Sequence, residues 1–174
     1  MVAILGYSRP QILAAVQEMY TAVADSPTSP FHFPVGSEAS RRLGYPPERL
    51  AALPSEIRDA FAGVGYPFHA EAIRRGDRVL DIGAGAGGDA LIARQLAGPQ
   101  GRVIALDLTA AMTRRLQQAT ERHGIEGLAV VQGSAEQLPL PDASIDSITS
   151  NGALNLVPDK RRAVKEMFRV LKPH

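Results

Sequence analysis

The sequence predicts an α/β protein, a doubly wound and mostly parallel sheet that carries an N-terminal helical cap. Three observations carry the prediction. From Arg78 onward, short apolar runs alternate with segments of helical spacing. Between the first such run and the first helix lies a glycine-rich turn, VLDIGAGAGGDA at 79–90. Residues 1–76 differ in texture, holding most of the prolines and no convincing strand. Strands separated by helices of this length imply right-handed crossovers, and therefore strands that run parallel.

In the cap, Ser8-x-x-Gln11 matches a capping box with Pro10 in the first turn, and Ile12, Leu13, Val16, Met19, Tyr20 and Val23 keep helical spacing to about residue 24. DSPTSPFHFPVG is a loop by its prolines and glycine. Short helices are expected at 37–43, 47–53 and 55–62, broken by Gly44, Pro46, Pro47 and Pro54. The core begins with a buried strand at 79–82 and a helix at 88–97 that stops at Gly98. A second strand follows at 102–106, and Thr109 caps a helix running to His123. Strands are expected at 128–132 and 144–149, and Pro158 opens a last helix with Val164, Met167, Phe168 and Leu171 on one face. The division is thus a loop-rich cap over 1–76, a candidate substrate-binding region, and a cofactor-binding core over 77–174.

Bulk properties exclude several classes. A net charge of +1 gives no basis for binding nucleic acid or an acidic membrane surface. The arginine pairs at 41–42, 74–75, 114–115 and 161–162 fall in helical patterns and read as solvated faces. With no cysteine there are no disulfides, thiolate metal sites or cysteine nucleophiles. Four scattered histidines make a metal site improbable. No apolar stretch reaches the ~20 residues that span a bilayer. The N-terminus MVAILGYSRPQ lacks the basic lead of a signal peptide, so a cytoplasmic location is expected.

Gly83, Gly85 and Gly88 form the pattern G-x-G-x-x-G, which removes side chains where a ligand lies against a sharp turn. Such turns also close helix–strand contacts, so the pattern alone is weak. Asp107 ends the second strand 24 residues after Gly83, where a carboxylate can hold both hydroxyls of a ribose. Asp81 stands at the tip of the first strand. A carboxylate there suits a ligand with positive charge better than a pyrophosphate, which disfavours a nicotinamide-dependent oxidoreductase.

The motifs DIGAGAG at 81–87, Asp107, and GSAEQLPLPDASID at 133–146 together resemble the class I S-adenosyl-L-methionine-dependent methyltransferases, a family with a Rossmann-like sheet. The resemblance runs from about Gly76 to the C-terminus. It implies S-adenosyl-L-methionine as cofactor and a small molecule as methyl acceptor. It also implies roles for single residues. Asp81, Gly83 and Gly85 would line the methionine end, and Asp107 would hold the ribose, with Leu108 beside the adenine. Ser134, Ala135 and Glu136 would read the adenine edge, Glu136 standing where aspartate is more frequent. Asn151 would face the methyl-transfer end. For Glu136 a solvated loop position stays open, and for Asn151 a turn.

The segment SNGALNLVPDKRRAVKEMFRVLKP, with LGYP at 43–46 and FAGVG at 61–65, is similar to the arsenite methyltransferases and their relatives. Those enzymes hold arsenic through cysteine thiolates, one of them after the Ser-Asn dipeptide. Here that position is Gly152, so the kinship does not carry the substrate over. The resemblance also implies further strands after RVLKP, so the sheet is expected to be truncated after its fourth strand. A bare edge invites pairing, and a homodimer or larger homo-oligomer is expected.

In the cap, His32 between two phenylalanines is a candidate general base, since its ordinary pKa of about 6.5 suits proton removal near neutrality. His69 and Tyr66 are weaker candidates, and His123 suits the end of a helix. Methyl transfer requires alignment and exclusion of water more than acid–base groups, so the lack of a catalytic triad does not count against an enzyme. Two readings remain open: a small-molecule methyltransferase, and a cofactor-binding or regulatory module without turnover.

Overall fold

The structure, a computed structural model, describes residues 6–27, 29, 31 and 33–173. Four parallel strands, β1 (Arg78–Ile82), β2 (Arg102–Asp107), β3 (Leu128–Gln132) and β4 (Ser147–Ser150), lie in the order β3-β2-β1-β4. The chain winds outward from β1 to β3 and then crosses back to the other side of β1, so the sheet is doubly wound. The register sets Asp81 opposite Thr149 and Ile82 opposite Leu106, which brings the carboxyl ends of β1, β2 and β4 to one level.

Alternation along β1 decides what each face buries. Val79 and Asp81 point one way, while Leu80 and Ile82 point the other. The first face is covered by the cap together with α5 (Gly88–Ala97) and α6 (Ala110–Arg122), burying Val79, Val103 and Ala105 against Leu91, Ile92 and Leu116. The opposite face packs Leu80, Ile82 and Leu106 against Ala163 and Val170 of α7 (Lys160–Val170) and against Leu138 and Ile145.

The cap consists of α1 (Arg9–Asp25), α2 (Ser37–Arg42), α3 (Pro47–Ala51) and α4 (Ser55–Asp59), followed by a 3-10 turn at Pro67–Ala70. Gln11 accepts from the Ser8 N–H at 2.8 Å, closing the start of α1 as its capping pattern predicts. Each short helix ends before the next proline, whose ring excludes the preceding residue from helical geometry. Among the described residues the cap has no separate core. Leu50, Leu53, Ile57, Phe61 and Phe68 join the same apolar cluster as Val79 and Ile92 of the sheet layer. Arg115 of α6 adds a polar staple, donating to the Ala24 carbonyl at 2.6 Å and the Glu56 carbonyl at 2.9 Å.

Several boundaries differ from the sequence reading: the helices expected at 47–53 and 55–62 end at Ala51 and Asp59, and two further differences lie in the core. The fourth strand begins at Ser147, not 144. Ser144 and Ile145 donate to the Val170 carbonyl at the end of α7, and Asp146 donates to the Arg78 carbonyl, so this stretch is tied off before the ladder starts. The last helix begins at Lys160 because Asp159 caps it, accepting from the Arg162 N–H at 3.0 Å. Pro158 lies before that cap. No helix among the described residues is long and apolar enough to cross a membrane.

Because cap and sheet share one cluster, they are expected to unfold together. Ile57 is fully buried in that cluster. Ile57→Ala should cost about 2–5 kcal/mol. In urea, tyrosine fluorescence from the cap and far-ultraviolet circular dichroism should shift to the same lower midpoint. Separated transitions would show that the cap unfolds on its own.

Candidate functional site

The glycine turn leaves β1 at Ile82 and enters α5 at Gly88. Gly83 and Ala84 both donate to the Leu106 carbonyl, at 2.8 and 3.0 Å, which folds the turn back over the end of β2. Gly83 has φ +75°, and a Cβ on it would lie 2.1 Å from the Ala153 Cβ, so only glycine lets the post-β4 segment pass. Gly85 differs. With φ +54°, a Cβ there would meet no protein atom within 4 Å, because it would stand in the open cleft.

That cleft lies across the carboxyl ends of β1 and β2 and encloses about 980 Å³, open solvent at its mouth included. Ile82, Leu106, Met112, Leu156 and Val157 supply apolar walls, and Asp89, Asp107, Ser134 and Asn151 supply polar groups. Helix α1 lies along it, with Leu13, Val16 and Tyr20 in the lining. Two contacts hold α1 there. Gln17 donates to the Leu108 carbonyl at 3.3 Å, and Arg9 forms an ion pair with Glu136.

Asp107 is braced from two sides. One oxygen accepts from Gly85 N–H and the other from Thr109 N–H, both at 2.8 Å. Burial raises its pKa, and these backbone donors oppose the rise. Leu108, Ser134 and Ala135 also line the cleft. Ser134 accepts the Glu136 N–H at 3.2 Å, leaving its hydroxyl hydrogen for another partner.

Two carboxylates depart from the expected pattern. Glu136 borders the cleft but is 2 % exposed, and both oxygens are engaged, one by Arg9 and one by the Asp159 N–H at 2.8 Å. Burial alone would raise its pKa, but Arg9 and Asp159 outweigh it and hold the carboxyl below its ordinary value. Glu136 is thus a tie between α1, the loop after β3 and the start of α7. It is neither a solvated loop residue nor a free reader of adenine. Asp81 is 1 % exposed and does not reach the cleft surface. Thr149, its register partner, donates to one oxygen at 2.8 Å, and the other oxygen is buried without a partner.

Asn151 lines the cleft, and its side chain is hydrogen-bonded on every side. Its side-chain oxygen accepts from the Val64 and Gly65 N–H groups at 2.9 and 3.1 Å, and its amide donates to Gly65 O at 2.8 Å and Asp89 Oδ2 at 2.9 Å. The side chain is therefore committed to pinning the 63–65 loop of the cap, although Asn151 still borders the cleft. Tyr45 completes this knot by donating to Asp89 Oδ1 at 2.5 Å. Its ring is buried edge-on against Phe61 and Tyr66. Sequence reasoning assigned no role to Asp89 or Tyr45, although both lie in quoted segments, at the end of GAGAGGD and within LGYP. The available signal was a carboxylate in the first turn of the helix that follows the glycines.

His32 lies outside the described residues. His69 stacks edge-on against Tyr66 at 4.8 Å and does not line the cleft, and His123 pairs with Glu56 at the end of α6. No cluster of three or more metal-ligating side chains occurs among the described residues.

A second cavity adjoins the cleft on the cap side. Tyr20, Ala62, Gly63 and Leu156 line both spaces. Gly152, the position that follows the Ser-Asn dipeptide, borders this second cavity with φ +82°.

A family model described as a methyltransferase domain matches residues 73–174. The chain belongs to this methyltransferase family. It is 34% identical over 137 residues to an arsenite methyltransferase of Halobacterium salinarum, covering 79% of this chain and 35% of that protein. It is 39% identical over 109 residues to the ubiquinone/menaquinone biosynthesis C-methyltransferase UbiE of Proteus mirabilis, covering 62% and 43%. Among solved structures it resembles CrArsM, an arsenic(III) S-adenosylmethionine methyltransferase from Chlamydomonas reinhardtii. The TM-score is 0.66 at 37% identity, over 72% of this chain and 44% of that one. The chain therefore spans about two fifths of the length of these relatives. The cofactor of the family is S-adenosylmethionine.

The residues at the cleft fit that cofactor. Gly85 leaves open space where a side chain would intrude, and the buried Asp81–Asp89 floor beneath it, raised toward its protonated form, would ionise more readily beside a cationic group. This floor also predicts a pH dependence. Burial, with the nearby Asp89 carboxylate adding to it and the Thr149 hydroxyl opposing, pushes Asp81 up to about 8. An unfolded aspartate ionises near 3.9. Between those values the folded protein holds a proton that the unfolded chain lacks. The resulting stability is complete below about pH 4 and is lost as pH rises through about 8. The ligand-free thermal midpoint should fall from about pH 5 to about pH 8.5, and Asp81→Asn should make the fall shallower. Identical slopes in the two proteins would show that Asp81 does not carry the proton.

Proposed function

We propose that this chain binds S-adenosyl-L-methionine in the cleft over β1 and β2 and directs its methyl group to a small-molecule acceptor held against the cap. The observation that carries the reading is the joint placement of Gly85, Asp107 and the buried Asp81–Asp89 floor around one cleft at the carboxyl ends of the strands. When bound, the cofactor supplies a methyl group on a sulfonium sulfur that is already activated for displacement.

The residues bind, orient and exclude water. Asp107, held rigid by Gly85 and Thr109, offers its remaining lone pairs to the ribose hydroxyls. Leu108, Ala135 and the Ser134 hydroxyl, all in the cleft lining, would hold the adenine. Asp81 and Asp89 would favour the cationic end of the cofactor by ionising beside it, with Gly83 and Gly85 giving backbone access. Helix α1 covers the cleft with Leu13, Val16 and Tyr20 and keeps bulk water from the transfer. Asn151 contributes by positioning the 63–65 loop beside the acceptor. Arsenite is not proposed as acceptor, because the chain has no cysteine to hold it.

Calorimetric titration with S-adenosylhomocysteine should show micromolar binding, and Asp107→Ala should weaken it by about tenfold or more, as expected for loss of a hydrogen bond to a charged group. Equal binding by both proteins would remove Asp107 from the site. An absence of binding in the wild-type chain would favour a role without cofactor turnover.

We also propose that the chain self-associates through β4. This strand pairs only with β1 among the described residues, and Phe168 and Val164 of α7 are 82 % and 56 % exposed. Light scattering at micromolar concentration should give a dimer or larger species. A monomer would overturn the proposal.

A further inference from the structure

Behind the cofactor cleft, the second cavity encloses about 1030 Å³, open solvent included. It has two ends. Near the cleft its walls are Tyr20, Ala62, Gly63 and Leu156, which it shares with the cofactor space. Away from the cleft it is lined by Met19, Phe33, Leu43 and Val64, with Arg42 among them. Phe33 is ordered by neighbouring rings, stacking on Phe31 at 5.7 Å and lying 6.3 Å from Tyr20.

The chemistry of the lining is one-sided. Among the described residues that line it, Arg42 is the sole charged group. Its partner Glu38 stands one helical turn back on α2, outside the cavity lining, and both side chains are 72 % exposed. An ion pair so exposed contributes little, so it does not hold the guanidinium back from a better acceptor. Arginine offers a planar fork of donors that matches a carboxylate with two parallel hydrogen bonds. An apolar chamber with ring-bearing walls takes a flat or lipophilic body, and a lone guanidinium in the part of the lining not shared with the cleft selects an anion.

We infer that the second cavity is the acceptor subsite and that it selects an apolar, ring-bearing carboxylic acid, bound with its carboxylate on Arg42 and its body running along Phe33 and Leu43 toward Tyr20. The inference rests on the methyltransferase reading for the word acceptor, and on the cavity alone for the ligand class. The anion lies at the end remote from the cofactor, so the atom presented across the shared wall belongs to the opposite end of the molecule. Tyr20, which borders both spaces, sets how far that end projects. Arg42 is a binding and orienting residue in this scheme.

The test uses three probes of one shape: 2-naphthoate, its neutral amide 2-naphthamide, and the 2-naphthylmethylammonium cation. Each is titrated into the full chain, alone and saturated with S-adenosylhomocysteine, by calorimetry or saturation-transfer NMR. Naphthoate should bind about tenfold tighter than the amide, the scale of one charge-assisted hydrogen-bond pair, and the cation weakest. Saturation with S-adenosylhomocysteine should not displace naphthoate. Arg42→Gln should bring acid and amide to within about twofold of each other, while Phe33→Ala should weaken both by a similar factor, as expected for loss of apolar contact. Thermal midpoints of the variants serve as the check on folding.

Equal binding of acid and amide by the wild-type chain overturns the inference, as does retention of the acid preference in Arg42→Gln. Displacement of naphthoate by S-adenosylhomocysteine overturns it too, since the acid would then lie in the cofactor cleft. If S-adenosylhomocysteine fails to bind while the Arg42-dependent acid preference persists, the methyltransferase reading falls and the acid site stands.

Discussion

Four groups meet where the cap touches the sheet: the Tyr45 hydroxyl, the Asp89 carboxylate, the Asn151 amide and the backbone of Val64 and Gly65. A carboxylate removed from water is costly unless its oxygens are hydrogen-bonded. Asp89 is 7 % exposed, and both its oxygens are satisfied only by groups from elements far apart in the chain. That requirement locks the cap loop, the start of α5 and the segment after β4 into one arrangement. The position of the cleft wall at 60–63 and the opening of the second cavity both follow from it. Networks of this kind specify geometry more than they add stability, because a half-satisfied version would be worse than an apolar contact.

The parallel register supplies the second constraint. Thr149 stands opposite Asp81, so one Asp81 oxygen finds a hydroxyl while the other is left buried and unpartnered. The fold thus keeps an unbalanced acidic floor directly under a turn that three glycines of positive φ leave bare. Burial raises both Asp81 and Asp89 above ordinary carboxylates, and at Asp81 the nearby Asp89 adds to the rise.

Much of the fold was legible because its signals are local. Apolar runs of four to six residues, helices stopped by Gly98 and Gly124, and a glycine-rich turn after the first run can each be read within a short window. The start of β4 was read three residues early, because the tie between Ser144 and the Val170 carbonyl joins positions 26 residues apart. Glu136 shows the same limit at the site. Its motif places it beside the adenine-reading residues, yet Arg9 from the far end of the chain and the Asp159 N–H take its oxygens. Asn151 was read toward the methyl-transfer end, and a cap loop nearly ninety residues away claims its amide.

The sequence by itself determined the α/β class, the glycine turn, the acidic ends of β1 and β2, and the absence of thiol chemistry. These depend on periodicity, on backbone conformations that few residues other than glycine adopt readily, and on composition. Tertiary structure alone decided that the cap shares the sheet's core, and that Asp89, Tyr45 and Asn151 form one knot. It also decided that α1 lies over the cleft and that Arg42 stands in a second apolar chamber. Each of these is a contact between residues distant in the chain, set by which faces must be buried together and which polar groups must then be satisfied, and no local pattern encodes it.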